Sequence, residues 1–147
     1  MSKDPVILSS SPVILSSSKD ELPAGFALNR AGDAEWNDGL RELFAYRDLG
    51  VSGATQGRVG AHLIRARGAS TTPGERHHHS LDFQFVYVLR GWVEFEYEGV
   101  GRVRLEPGSS VVQPPGIRHV ELGHSSDLEM LELTLPAQFR TAGEASP

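Results

Sequence analysis

A chain of 147 residues is long enough for one domain with a buried core, and 39% hydrophobic with 22% charged residues is an ordinary globular composition. A formal net charge of -5, with the basic residues scattered and forming no run, argues against a nucleic-acid partner. The absence of cysteine excludes disulfides, thiolate ligands and a cysteine nucleophile, so any metal site must draw on histidines, carboxylates and amides.

Residues 5–11 read PVILSSS and residues 12–18 repeat them. Three adjacent apolar residues per copy do not make a coiled-coil seam, and a proline at each start opposes a helix. Residues 1–22 are therefore expected to be a disordered, low-complexity leader outside the core. No apolar run here or later is long enough for a membrane helix or a signal-peptide core, so a cytoplasmic protein without a membrane partner is expected.

Residues 23–57 read as an N-terminal arm. Pro23, Gly25, Gly32 and Gly39 mark loop, and Gly50 to Gly57 is a further loop. Between them, Leu40 to Leu49 suits either a helix face or a strand. The flanking glycines and the β-rich remainder favour a possible edge strand.

From Arg58 the pattern is regular. Val59, Ala61 and Leu63 alternate with Gly60, His62 and Ile64. Glu75–His79 follows a Thr-Thr-Pro-Gly turn, and Phe83–Leu89 is rich in β-branched and aromatic residues. In Trp92–Glu98, Val93, Phe95 and Tyr97 alternate with glutamates, and Arg102 and Arg104 can face that glutamate row across a hairpin. Ser110–Gln113, Ile117–Leu122 and Leu128–Leu135 complete the set, His124 falls in a turn, and residues 136–147 read as a polar tail. About eight short strands separated by turns, with no clear helix, predict an all-β sandwich or barrel over residues 58–135.

The chemistry concentrates in Thr72 to Gly91 and Gly108 to His119. His77 and His79 stand at i and i+2, so on an extended segment they share a face while His78 points away. Histidine is the commonest side-chain ligand for borderline metals. Gln84 comes from the next strand and His119 from a separate one, and a concave sheet is needed to unite all four. His62 reads as a hydrogen-bonded strand histidine. Glu94, Glu96 and Glu98 read as a solvated face, and Phe83, Phe85 and Trp92 as core or dimer-interface residues.

The offsets resemble the two motifs of the cupin superfamily. The first runs G-x5-H-x-H-x(3,4)-E-x6-G, met here by His77, His79, Gln84 and Gly91; the second runs G-x5-P-x-G-x2-H-x3-N, met by Gly108, Pro114, Gly116 and His119. The spacing is that of small bacterial single-domain cupins. This resemblance implies a double-stranded β-helix, or jelly roll, often dimeric, so a homodimer is expected. It also implies one divalent transition metal held by His77, His79, Gln84 and His119. Fe(II) is favoured, with Mn, Ni or Zn as alternatives.

Three positions depart from the pattern. Thr71 and Gly123 replace a glycine and an asparagine, and Gln84 replaces the usual glutamate ligand. A neutral amide leaves the ion's charge uncompensated, and Asp82 or Glu75 is expected to supply charge nearby. The expected function is a metal-dependent enzyme on a small organic molecule, dioxygenase-type first and isomerase or lyase next. The alternative is a non-catalytic module that binds or senses a small ligand.

Overall fold

The computed structural model describes residues 22–38 and 42–143. The PVILSSS repeats, expected to form a leader, lie outside the described residues. The described residues form eleven strands: β1 (Asn37–Asp38), β2 (Phe44–Asp48), β3 (Gly60–Ala66), β4 (His77–Ser80), β5 (Phe83–Arg90), β6 (Val93–Tyr97), β7 (Gly101–Leu105), β8 (Ser110–Val112), β9 (His119–His124), β10 (Glu129–Leu135) and β11 (Arg140–Gly143). They form two antiparallel sheets, ordered β1-β2-β3-β10-β5-β8 and β11-β4-β9-β6-β7. The architecture is a jelly roll, with the inward residues of both sheets interdigitating between them.

The ambiguous Leu40–Leu49 segment resolves as strand where it is described. β2 pairs along β3 from Phe44↔Ala66 to Asp48↔His62. Alternation is cleanest in β6, where Val93, Phe95 and Tyr97 are buried and Glu94 and Glu96 are not. Those glutamates lie opposite Arg104 and Arg102 in the β6–β7 register. The core combines Phe44 and Ile64 with Val88, Val93, Leu105 and Leu128. Val88 and Val93 are fully excluded from water, where large-to-small truncation is costly.

Three local expectations are corrected. Gly50–Gly57 is not all loop: Val51–Ala54 form one helical turn, α1, entered through Gly50 at φ 80°. The stretch read as a polar tail contains β11, which pairs with β4 from Arg140↔Ser80 to Gly143↔His77. His124 is not in a turn but ends β9, wholly buried. Gly123 disguised that strand in the sequence. Here glycine answers a close approach, because a Cβ at position 123 would sit 2.8 Å from the Ser70 carbonyl oxygen.

Phe83 and Phe85 are not in the core. The core-facing residues of β5 are Gln84, Val86 and Val88. Phe83, Phe85, Tyr87 and Leu89 take the opposite, outer face of the six-stranded sheet, where Tyr87 and Leu89 are exposed. Leu131 and Leu133 of β10 lie across from Tyr87 and Phe85 in the same register. The six-stranded sheet is therefore apolar on both faces, unlike the usual half-solvated antiparallel sheet.

Candidate metal centre

β4 and β9 touch at one register position, His77↔His119. That contact brings the histidines of the two motifs together. The ring centroids of His77 and His119 are 4.4 Å apart, those of His77 and His79 4.8 Å, and those of His79 and His119 5.1 Å. The candidate ligand atoms of all three lie within 4.8 Å of one another. His78 is not part of the cluster, as its parity on β4 requires. The Pro114–Gly116 turn fixes the approach: Gly116, at φ 77°, donates its N–H to the His79 carbonyl at 3.1 Å.

The orientation of each ring is set from behind. His77 Nδ1 lies 2.7 Å from the Glu75 carbonyl, and His119 Nδ1 lies 3.0 Å from the Ile117 carbonyl. A carbonyl only accepts, so both rings carry their proton on Nδ1 and their lone pair on Nε2. The same device is used twice, with the backbone two residues upstream holding each imidazole. His79 Nδ1 meets the Thr141 hydroxyl of β11 at 2.8 Å. First-row ions bind imidazole nitrogen at about 2.0–2.1 Å, which places neighbouring ligand atoms about 3–4 Å apart. Three imidazoles with ligand atoms already within 4.8 Å of one another, two of them with the lone pair fixed on Nε2, need only a small contraction to fit such an ion.

These rings form one wall of a cavity of about 600 Å³. Its other walls are largely apolar, including Phe44, Ile64, Val86, Phe95, Met130 and Phe139. Gln84 lines the same cavity and is 4% exposed. Its Nε2 donates to Glu132 Oε2 at 2.9 Å. Neither Asp82 nor Glu75 lines the cavity: Asp82 is exposed, and Glu75 gives its carbonyl to His77. The carboxylate beside Gln84 is Glu132, which the sequence reading missed. Its signal was the parity of β10, where Met130, Glu132 and Thr134 share a face. Leu131, Leu133 and Leu135 take the opposite, outer face.

Two more cavity residues carry polar chemistry. His62, opposite Glu132 in the β3–β10 register, faces the cavity rather than serving only as a bonded strand residue. Gln113 is 2% exposed and donates Nε2 to the Tyr97 hydroxyl at 2.9 Å, while its Oε1 is buried without a hydrogen-bond partner among the described residues. Burial raises the Tyr97 pKa above its ordinary value, so the phenol stays neutral. Glu121, also lining the cavity, meets His124 Nδ1 at 3.0 Å, and His124 Nε2 meets the Gly68 carbonyl at 2.9 Å. Burial alone would lower the His124 pKa. The Glu121 hydrogen bond and charge, with the Gly68 carbonyl, outweigh it and leave the pKa raised. Both ring nitrogens face acceptors, which suits the imidazolium form.

Residues 65–133 match the model of the cupin domain. Residues 65–133 are thus a cupin domain. Solved structures agree with this chain in fold. KdgF from Halomonas sp. superposes with a TM-score of 0.61 at 23% identity, over 77% of this chain and 95% of that one. The polyketide cyclase RemF from Streptomyces resistomycificus gives 0.63 at 14% identity, over 83% and 87%. FeII HppE gives 0.62 at 13% identity, over 78% of this chain and 63% of its own. No curated protein matches the sequence significantly. Among the described residues no helix is long and apolar enough to cross a membrane.

Proposed function

We propose that this cupin is a metal-dependent enzyme acting on a small organic molecule, with one divalent transition-metal ion held by His77, His79, Gln84 and His119. The observation that carries the reading is the shared orientation of the three imidazoles, each with Nδ1 engaged from behind, on the wall of an apolar cavity. When bound, the metal supplies Lewis acidity or, as Fe(II), a site for oxygen chemistry. No lysine or arginine lines the cavity among its described residues. A compact molecule that offers oxygen donors to the metal and apolar surface to the walls therefore fits better than a polyanion.

The dioxygenase and the isomerase or lyase readings differ in what the protein must do to a proton. Glu132 and His62 both face the cavity, and both side chains can accept or deliver one. Their presence favours isomerase or lyase chemistry with Mn, Ni or Zn over oxygen-dependent cleavage. The test is metal analysis of freshly purified protein, reconstitution, and parallel screens for oxygen uptake and for solvent-deuterium incorporation into hydroxy and keto acids. Stoichiometric metal that is lost in His119→Ala, with deuterium incorporation, is expected. Metal-free protein that shows no thermal shift with Fe(II), Mn(II) or Ni(II) would remove the enzyme reading.

A homodimer is proposed through the outer face of the six-stranded sheet. Its apolar stripe of Phe85, Tyr87, Leu131, Leu133 and Val112 is only partly covered by the described residues, and Val112 is 55% exposed.

A further inference from the structure

We infer that Glu132 is the positioning residue that makes Gln84 a metal ligand and replaces the charge lost by having an amide there. The inference rests on the metal-binding reading. Gln84 on β5 and Glu132 on β10 are diagonal neighbours on the cavity face, since Thr134 pairs with Gln84 and Glu132 with Val86. Their contact runs from Gln84 Nε2 to Glu132 Oε2 at 2.9 Å. An amide nitrogen can only donate and a carboxylate oxygen accepts, so this contact fixes which end of the amide points where. Nε2 is turned to Glu132. Oε1, the end able to ligate a cation, is turned away from it.

Two consequences follow for a cation held by the histidines. Without Glu132 the amide has no fixed sense, and a half-turn about its last bond would offer an NH₂ group to a positive ion. With Glu132 the oxygen is offered. The carboxylate also polarises the amide and places one negative charge a single hydrogen bond from the ligand, offsetting part of the 2+ charge that three imidazoles and an amide leave uncompensated. The carboxylate that cupins commonly carry as a direct ligand is here one residue removed. The bare ion keeps more Lewis acidity than direct carboxylate ligation would leave it, while the protein retains the charge needed to hold it.

The experiment measures Mn(II) and Ni(II) affinity of demetallated protein by chelator competition, for wild type, Glu132→Gln, Glu132→Ala and the exchange variant Gln84→Glu/Glu132→Gln. Partners that orient a metal ligand typically contribute about 10–100-fold in affinity. Glu132→Gln is expected to weaken binding by about that factor, and Glu132→Ala by more, because it also removes the orienting acceptor. The exchange variant, which returns a carboxylate directly to position 84, is expected to recover wild-type affinity or exceed it. A purely structural role for Glu132 would not be rescued this way. Folded Glu132→Gln with wild-type affinity overturns the inference, as does a folded exchange variant no better than Glu132→Gln. Wild type that binds neither ion overturns the metal-binding reading itself.

Discussion

Gly123 is the position where restoring the family pattern should harm this protein. The second cupin motif carries asparagine there, yet a Cβ on residue 123 would meet the Ser70 carbonyl oxygen at 2.8 Å and Thr71 Cα at 3.4 Å. Real Cβ atoms do not approach an oxygen so closely, so the backbone would have to move by several tenths of an ångström. It is pinned where it stands: Ser70 N–H donates to the His124 carbonyl at 3.1 Å and His124 N–H donates to the Ser70 carbonyl at 2.8 Å. Overpacking of a tight site costs about 1–3 kcal/mol, and each strained hydrogen bond adds up to about 1 kcal/mol. Gly123→Asn is therefore expected to destabilise by about 2–3 kcal/mol. For a domain of this size that lowers Tm by about 5–10 °C. The assay is thermal unfolding by circular dichroism, with Gly53→Ala as control, since nothing lies within 4 Å of a Cβ there. An unchanged or raised Tm in Gly123→Asn would refute the steric account of this departure.

The buried Glu121–His124 pair should give the protein a pH-dependent stability. The folded His124 pKa lies above its ordinary 6.5, so the pair's contribution is complete below about pH 6.5 and is lost as pH rises through the folded value. The stability gap between wild type and Glu121→Gln, from denaturant titrations, is expected to be larger at pH 6 than at pH 9; a gap that grows with pH would contradict this assignment. For the proposed dimer, Tyr87→Glu places a charge in the outer stripe and is expected to halve the mass in light scattering without changing the circular dichroism spectrum. A wild type that is monomeric at micromolar concentration would dispose of the interface.

What could be read from the residues depended on how many structural demands each stretch met at once. β6 was unambiguous because one face is apolar and the other charged, so alternation and burial agree. The histidine cluster was legible because i, i+2 spacing and a fixed turn before His119 leave few geometries. Glu132 was not, because β10 is apolar outside and mixed inside, and parity alone does not say which face is inward. The same two-sided character sent Phe83 and Phe85 to the outer face. His124 was hidden by a glycine that looked like a turn but serves close packing. β11 was hidden because an edge strand with every residue exposed carries no hydrophobic pattern to detect.

That edge strand divides labour within the fold. The rings of His77 and His119 stand on β4 and β9, each of which has a neighbouring strand on both sides, whereas Ala137, Gln138, Phe139 and Thr141 bring the rim of the cavity from the last described segment of the chain. Phe139 stacks edge-on to His79 at 5.2 Å and Thr141 meets the Nδ1 of the same ring, so this rim reaches the histidine wall of the cavity. Residues 137–139 lie in the connection before β11, and such connecting segments tolerate exchange better than the elements they join. The shape of the cavity rim can thus be altered through residues 137–139 while Thr141 and the three histidines stay as they are, one segment serving as a replaceable nozzle on a fixed engine.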